Sequence, residues 1–317
     1  MDKRRRIGIP SDGERILKKI MDLNSKGTAA GSRETKITAV RELRSQFNVS
    51  DLVKFTKLPR SSFYYVVSHP KTDKYAEERK LLHKIHEENK SRYGYRRITL
   101  AFQNEGKTTN HKVIQKLMHE ENIVCKMTKH RYNSYKGEVG KTAPNILDRN
   151  FKAKKPNEKW VTDVTQFNVC GRKIYLSPIM DLYDGFIVSY NISESPNFAQ
   201  TIDMLDKAFC QIPDSTNLIL HSDQGWQYQM YQYRQRLKDK GIRQSMSRKG
   251  NCLDNAMIEN FFGLLKKEFY YGETFESVEQ FKTELNEYLK WYNEKRIKLK
   301  QKGLFPLQFR KQALLSA

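Results

Sequence analysis

From Thr35 to Phe47 the apolar residues Ile37, Val40, Leu43 and Phe47 recur every three or four positions, which predicts a helix with one buried stripe. Ser50 and Asp51 are placed to cap a second helix running through Phe55, and Pro59–Arg60–Ser61 opens a third across SSFYYVV. Three short helices with tight turns predict a helix-turn-helix-like unit over 34–70. A second helical set is expected over 71–135. Lys74–Lys90 is amphipathic through Leu81, Leu82 and Ile85, SRYGYRRITLAF is led in by Gly94, and Asn110 caps NHKVIQKLMHEEN. Ahead of these, residues 1–33 combine a basic start, a short periodic piece (Ile16, Ile20, Leu23) and the loop-like GTAAGSR, so a mobile basic arm is expected.

The periodicity changes at Trp160. WVTDVTQFNV, KIYLSPIMDLY and GFIVSYNIS read as three β-rich runs separated by short turns. A helix pattern follows over Phe198–Gln211, then the strand NLILHSD, a helix over Met230–Lys240, the short strand IRQSMS, the loop SRKGNCLDN and a long helix from Ala256 to Tyr270. Three strands followed by αβαβ and a helix is the order of a ribonuclease-H-like α/β core, expected over 159–272. The stretch 136–158, punctuated by Gly137, Gly140, Pro144 and Pro156, reads as a basic linker lying along nucleic acid. Residues 273–317 read as one more helix, SVEQFKTELNEYLKWYNEKR, and a basic tail.

Charge narrows the partners. Lys plus Arg number 58 against 36 Asp plus Glu, a net of +22, and residues 1–150 hold 33 of the basic and 17 of the acidic side chains. A polyanion is the natural partner, gripped mostly by the N-terminal half. Charge alone leaves a non-specific RNA binder equally open. Arg96 and Arg97 sit near the start of a helix, where guanidinium groups suit phosphates or base edges. The four cysteines lack CxxC spacing, which argues against a zinc site and a disulfide framework and fits a reducing cytoplasm. No secretory signal and no membrane span is expected.

Three acidic residues stand where solvated carboxylates are not usually found. Asp163 lies inside the apolar run WVTDVTQF, Asp223 ends LILHSD, and Glu259 lies between Ile258 and Phe261–Phe262. A buried unpaired carboxylate is costly. A cation held among the three resolves that cost, and oxygen ligands without nearby His or Cys suit Mg²⁺ or Mn²⁺ rather than Zn²⁺. Two such ions would serve an in-line phosphoryl displacement. Asn255 and Lys266 share a helix face with Glu259, while Asp254 faces away. Arg248 and Lys249 flank the preceding loop and are candidates for backbone phosphates. His221 is expected as a structural strand-end residue, and Trp160, Trp226, Phe261 and Phe262 as core rather than base-stacking platforms.

The three acidic segments resemble the DDE core of retroviral integrases and many transposases. Between Asp223 and Glu259 lie 35 residues, the spacing of the D,D(35)E motif. WVTDVT, HSDQGWQY, GNCLDNAMIENFFGLLKKE, SRYGYRRI and the ending WYNEKRIKLKQKGLFPLQFR are similar to segments of the insertion sequence 3 family of transposases. The resemblance runs from about residue 35 to 310 and implies a DNA transposase with Asp163, Asp223 and Glu259 as catalytic, metal-binding triad. It further implies 3′-end cleavage and strand transfer by a copy-out, paste-in route. The DNA contacts would include Asn255 and Lys266, and the partners would be double-stranded DNA, as terminal inverted repeats and target, with a homodimer or higher multimer on that DNA. A bacterial, nucleoid-associated cytoplasmic location goes with it. The readings set against it are a helix-turn-helix regulator with an inactive core, and a ribonuclease-H-type nuclease. Residues 1–33 match no segment of the family, which leaves a downstream-frame product and a shortened fused form both open.

Overall fold

The computed structural model describes residues 13, 14, 16, 18, 33–69, 73–126, 142–249 and 251–315. Most of the arm expected over 1–33 and part of the linker, 136–141, lie outside the described residues, though Ile16 of that arm is buried in the first unit's core. The chain divides into two compact units at Ala76/Glu77.

In the first unit, α1 (Arg33–Leu43), α2 (Val49–Phe55) and α3 (Arg60–Ser68) form the expected three-helix set. The stripe Ile37, Val40, Leu43 and Phe47 is buried, with Leu52, Val53, Leu58 and Phe63 against it.

The second unit opens with three helices. These are α4 (Ala76–Glu88), whose first residue marks the boundary, α5 (Tyr95–Asn104), and α6 (His111–Glu120), where Asn110 Oδ1 accepts the Lys112 amide at 2.9 Å as an N-cap. Beyond them lies a six-stranded mixed sheet. The run WVTDVTQFNV is not one strand but two, β1 (Lys159–Thr162) and β2 (Thr165–Val169), broken at Asp163–Val164. Asp163 Oδ1 accepts the Val164 amide at 2.7 Å, a local turn that takes this residue out of the ladder.

Strand β3 (Arg172–Asp181) pairs antiparallel with β2 along its first half and with β1 along its second, so β4 (Ile187–Ser193) holds its other edge. Cys170 (φ 49°) and Gly171 (φ 74°) make the two-residue β2–β3 turn, both in the left-handed region that this turn requires. Strand β5 (Ile219–Ser222) runs parallel to β1, and β6 (Arg243–Met246) parallel to β5. The crossovers are α7 (Phe198–Phe209) before β5, and α8 (Trp226–Gln229) with α9 (Tyr231–Asp239) after it.

Alternate residues face opposite sides of the sheet. Val161, Phe167, Ile174 and Met180 pack under α10 (Ala256–Leu265) and α11 (Val278–Glu294). Trp160, Ile179 and Leu220 pack against α7 and α9. This is the ribonuclease-H-like arrangement expected from the element order, with helices on both faces.

Three further stretches differ from their sequence reading. The helix expected to run to Tyr270 ends as α-helix at Leu265 and closes in a π-turn, Lys266–Tyr270. Residues 143–153 are stitched to the core rather than hanging as a tether: Leu147 is buried, and the Ile146 and Leu147 amides donate to Ser245 Oγ at 2.9 and 3.1 Å. The closing tail forms α12 (Pro306–Leu315), tied down where Arg310 reaches Asp181 and Asp184, both at 2.9 Å.

Candidate active site

Strands β1 and β5 are adjacent and parallel, with Trp160 opposite Leu220 and Val161 opposite His221. Continuing that register by two residues sets Asp163 beside Asp223, just past the carboxyl ends of the two strands. In α/β sheets that is where ligands bind. Each aspartate is fixed by a backbone amide: Val164 N–H donates to Asp163 Oδ1, and Gly225 N–H to Asp223 Oδ1 at 2.9 Å. Gly225 is required for the second contact, since a Cβ there would lie 2.9 Å from the same oxygen.

Glu259 enters from the first turn of α10, whose buried face (Ile258, Phe261, Phe262, Leu265) seats the helix on the sheet. The three carboxylates sense one another. Burial raises the Asp163 carboxyl well above the usual range, and the charges of Asp223 and Glu259 push it further. Asp223 is raised by burial, and Glu259 by burial and then by Asp223. Among the described residues, the groups that shift them include no Lys or Arg. Buried like charges raise one another's pKa, which favours the neutral forms. Among the described residues, no three His, Cys, Asp or Glu side chains are drawn together as a finished metal cage. What fits is the donor chemistry, all oxygen and all anionic.

Around the triad, Asn255 is buried, and neither its Oδ1 nor its Nδ2 has a hydrogen-bond partner among the described residues. Lys266, at the start of the π-turn, lies 5.4 Å over the Phe167 ring, and burial lowers its pKa. His221 is enclosed between Ser245 (2.8 Å) and Ser247 (3.3 Å), and burial pulls it down to about 4, so it is neutral. Asp254 is fully buried and gathers Arg248 Nε (2.9 Å), Arg149 Nε (2.8 Å) and Asn145 Nδ2 (3.0 Å).

The basic candidates separate. Arg96 is exposed beside Tyr95, and Lys249 is exposed. Arg248 is held by Asp254 and Asp148. Arg97 turns inward to the buried Glu268 at 3.3 Å, across the Tyr93 ring. Trp160, Phe261 and Phe262 are core, but Trp226 is 53% exposed. It leads a four-residue helix just past the β5 terminus.

Sequence reasoning missed Glu268 altogether. The signal was present in its flanks, since KKEFYY places one acid between basic and aromatic residues on the buried side of a helix.

Comparison with known proteins meets this geometry. Residues 153–252 and 259–314 match integrase core domain models, and 74–131 match an HTH-like domain. The putative transposase InsK for insertion sequence element IS150 of Escherichia coli is 49% identical over 277 residues, covering 87% of this chain and 98% of that protein. The chain belongs to the insertion sequence 3 family of transposases. The transposase InsF of IS3A from Escherichia coli is 32% identical over 70% of this chain and 77% of its own length. Among solved structures, the HTLV-2 integrase catalytic core domain in complex with magnesium matches half of this chain and 98% of its own, at 18% identity and TM-score 0.40. As a member of that family, with integrase core and HTH-like domains, the protein is a DNA transposase, a polynucleotidyl transferase that binds DNA. None of its described helices is long and apolar enough to cross a membrane.

Proposed function

We propose that this transposase cleaves the 3′ ends of its element and joins them to DNA, with Asp163, Asp223 and Glu259 as a DDE triad holding two Mg²⁺ or Mn²⁺ ions. What supports the reading is the mutual effect of these carboxylates, each raised by burial and two raised by their neighbours, with no basic group among the described residues that shift them. The bound ions would supply charge neutralisation for the attacking and leaving oxygens of an in-line displacement.

The chain's own groups do the rest. Asp163 and Asp223 hold their positions through strand ends and backbone amides, and Glu259 through the packed α10. The unpaired amide of Asn255 orients the DNA end beside the triad. Lys266, partly desolvated, meets the phosphate charge, and the exposed Arg96 and Lys249 take up backbone phosphates further out. The first step hydrolyses a phosphodiester to free a 3′-OH. In the second, that hydroxyl forms a new O–P bond as the old one breaks, with no covalent enzyme intermediate, so positioning and electrostatics suffice. The route is copy-out, paste-in, on terminal inverted repeats and target duplex, by a homodimer or larger multimer acting on the bacterial nucleoid.

A strand-transfer assay on labelled duplexes carrying the element's ends tests this, run with Mg²⁺, with EDTA and with Glu259→Gln. Joined product that needs both metal and Glu259 is expected. Near-normal joining by Glu259→Gln overturns the triad, and tight binding without nicking or joining leaves a DNA-binding regulator instead.

A further inference from the structure

Trp226 opens α8, three residues past Asp223. Three trans peptide units allow at most about 11 Å between their Cα atoms. Between them, the Gly225 amide donates to Asp223 Oδ1 at 2.9 Å, so the turn that fixes the carboxylate also carries the indole. Tyr228, two residues further on, is wholly buried against α7 and α9. Two residues along a helix rotate the side chain by about 200°. Trp226 is accordingly sent outward, and it is 53% exposed. The other two tryptophans have partners: Trp160 Nε1 donates to Asp181 Oδ2 at 3.3 Å, and Trp291 Nε1 to Asn89 Oδ1 at 3.2 Å. Among the described residues, no hydrogen bond and no ring or cation contact engages Trp226.

Exposed apolar surface continues along the chain at Met230 and Tyr231, and it recurs on the neighbouring loop. Gln224 Nε2 donates to the Ser247 carbonyl at 2.9 Å, which joins the Asp223 loop to the one running through the exposed Leu253 to Asn255 and Glu259. The loops after β5 and β6 thus each bring an acid of the triad and each present an apolar side chain to solvent. A single exposed hydrophobe needs no explanation. A flat, unpartnered ring beside a phosphoryl-transfer site has a natural occupant, because every base has a π-face that stacks on an aromatic side chain. Inside an intact duplex both faces of a base are already covered, so only an unpaired base can offer one to the indole.

We propose that Trp226 is a base-stacking residue of this transposase, its exposed ring receiving an unpaired base of the DNA end beside the phosphodiester held by the triad. The inference rests on the triad reading above. Strand transfer with Mg²⁺ is measured on element-end duplexes carrying single abasic sites at the positions flanking the joined phosphate, and tryptophan emission is followed as the same duplexes bind. Wild type, Trp226→Ala and Trp226→Phe are compared in the full chain, with Glu259→Gln alongside. Trp226→Ala should lower kcat/KM on the complete duplex about tenfold. At one position the abasic site should cost the wild type as much and cost Trp226→Ala nothing more, the non-additivity of two groups in contact. Trp226→Phe keeps a ring, so it should join near the wild-type rate but lose the quenching of emission that DNA causes in the wild type.

Additive losses at every position, with joining abolished in Glu259→Gln, overturn the role of Trp226 and leave the triad standing. Full quenching in Trp226→Phe overturns it too, because the indole that meets DNA would then be another. Both Trp226 variants should melt with the wild type, since the ring is already half exposed; a clear loss of stability would make it a structural ring instead. Near-normal joining by Glu259→Gln overturns the triad, and with it the placing of this base at the reacting phosphate.

Discussion

Glu268 supports the sharpest stability prediction. Its carboxylate is fully enclosed and accepts four hydrogen bonds: Arg296 Nε and Nη2 both at 2.8 Å, Tyr288 Oη at 3.0 Å and Arg97 Nη1 at 3.3 Å. Its backbone carbonyl takes Arg92 Nε at 3.1 Å, and that guanidinium lies 4.7 Å over the Trp291 ring. The π-turn after the Glu259 helix, α5 and α11 are therefore joined at one anion. Glu268→Gln preserves shape but removes the charge and turns an NH₂ toward donors. It leaves Arg296, 5% exposed, without a buried counter-ion, and breaking a buried pair in this way costs about 3–5 kcal/mol. For a unit of this size that lowers the melting temperature by on the order of 10 °C.

All three tryptophans, Trp160, Trp226 and Trp291, lie in the second unit, so intrinsic fluorescence follows its unfolding selectively. Burial alone would raise the Glu268 carboxyl, but Arg296 and Arg97 overrule it and hold the group below its ordinary range. Its stabilisation is then present above the unfolded carboxylate value and is lost as pH falls through the depressed folded one. Wild type and variant should converge in strong acid. A loss under about 1 kcal/mol at neutral pH would mean that desolvation cancels the pair, and would refute the claim that this anion holds the three elements together.

Three other outcomes follow. Asp254→Ala frees Arg149 and Arg248 and should loosen 247–256, seen as faster amide exchange there, with a loss of about 2–3 kcal/mol; unchanged exchange would separate the latch from the loop. Burial and then Asp181 raise Asp184 to about 6, so its favourable contribution exists below the unfolded value and disappears as pH rises through 6. Asp184→Asn should accordingly gain about 1–2 kcal/mol at pH 8 and nothing near pH 4 in paired melts. Gly225→Ala, whose Cβ would press on Asp223 Oδ1 at 2.9 Å, should cut strand transfer far more than it lowers the melting temperature.

The legible parts of the fold were those governed by local periodicity. The α1 stripe, the Asn110 cap and the sequence order of strands and helices all follow from spacing and capping chemistry. What escaped the sequence depends on partners distant in the chain. Arg97 reads as a helix-start arginine for phosphate, but Glu268, 171 positions away, draws it inward. Arg310 reads as a basic tail until Asp181 and Asp184 make it an anchor. The break at Asp163 was hidden because its turn depends on one side-chain-to-amide bond inside an otherwise β-rich run. Trp226 looked like core because its residue type favours burial, whereas its exposure is decided by the end of the sheet.

The same scaffold shows why the triad is not simply a place where acids happen to be buried. Asp254 holds Arg149 and Arg248, Glu268 holds Arg97 and Arg296, and both carboxyls lie below their ordinary range. Asp184, between Asp181 and Arg310, is raised instead and stands between these and the triad. With 58 basic residues in the chain, buried acids elsewhere in the second unit have found guanidinium partners. Among the described residues, the charges that shift Asp163, Asp223 and Glu259 include no guanidinium, and Asp163 and Glu259 are raised by their acidic neighbours. Neutralising one acid should therefore separate the two classes. Glu268→Gln loses stability, while Asp163→Asn, which relieves burial and repulsion together, should raise the metal-free melting temperature and abolish joining. That opposition of stability and activity is expected where charges are held apart from partners for a reaction. If Asp163→Asn instead destabilised the metal-free protein as much as Glu268→Gln does, Asp163 would be one more structural anion, and the proposed metal centre would lose its physical basis.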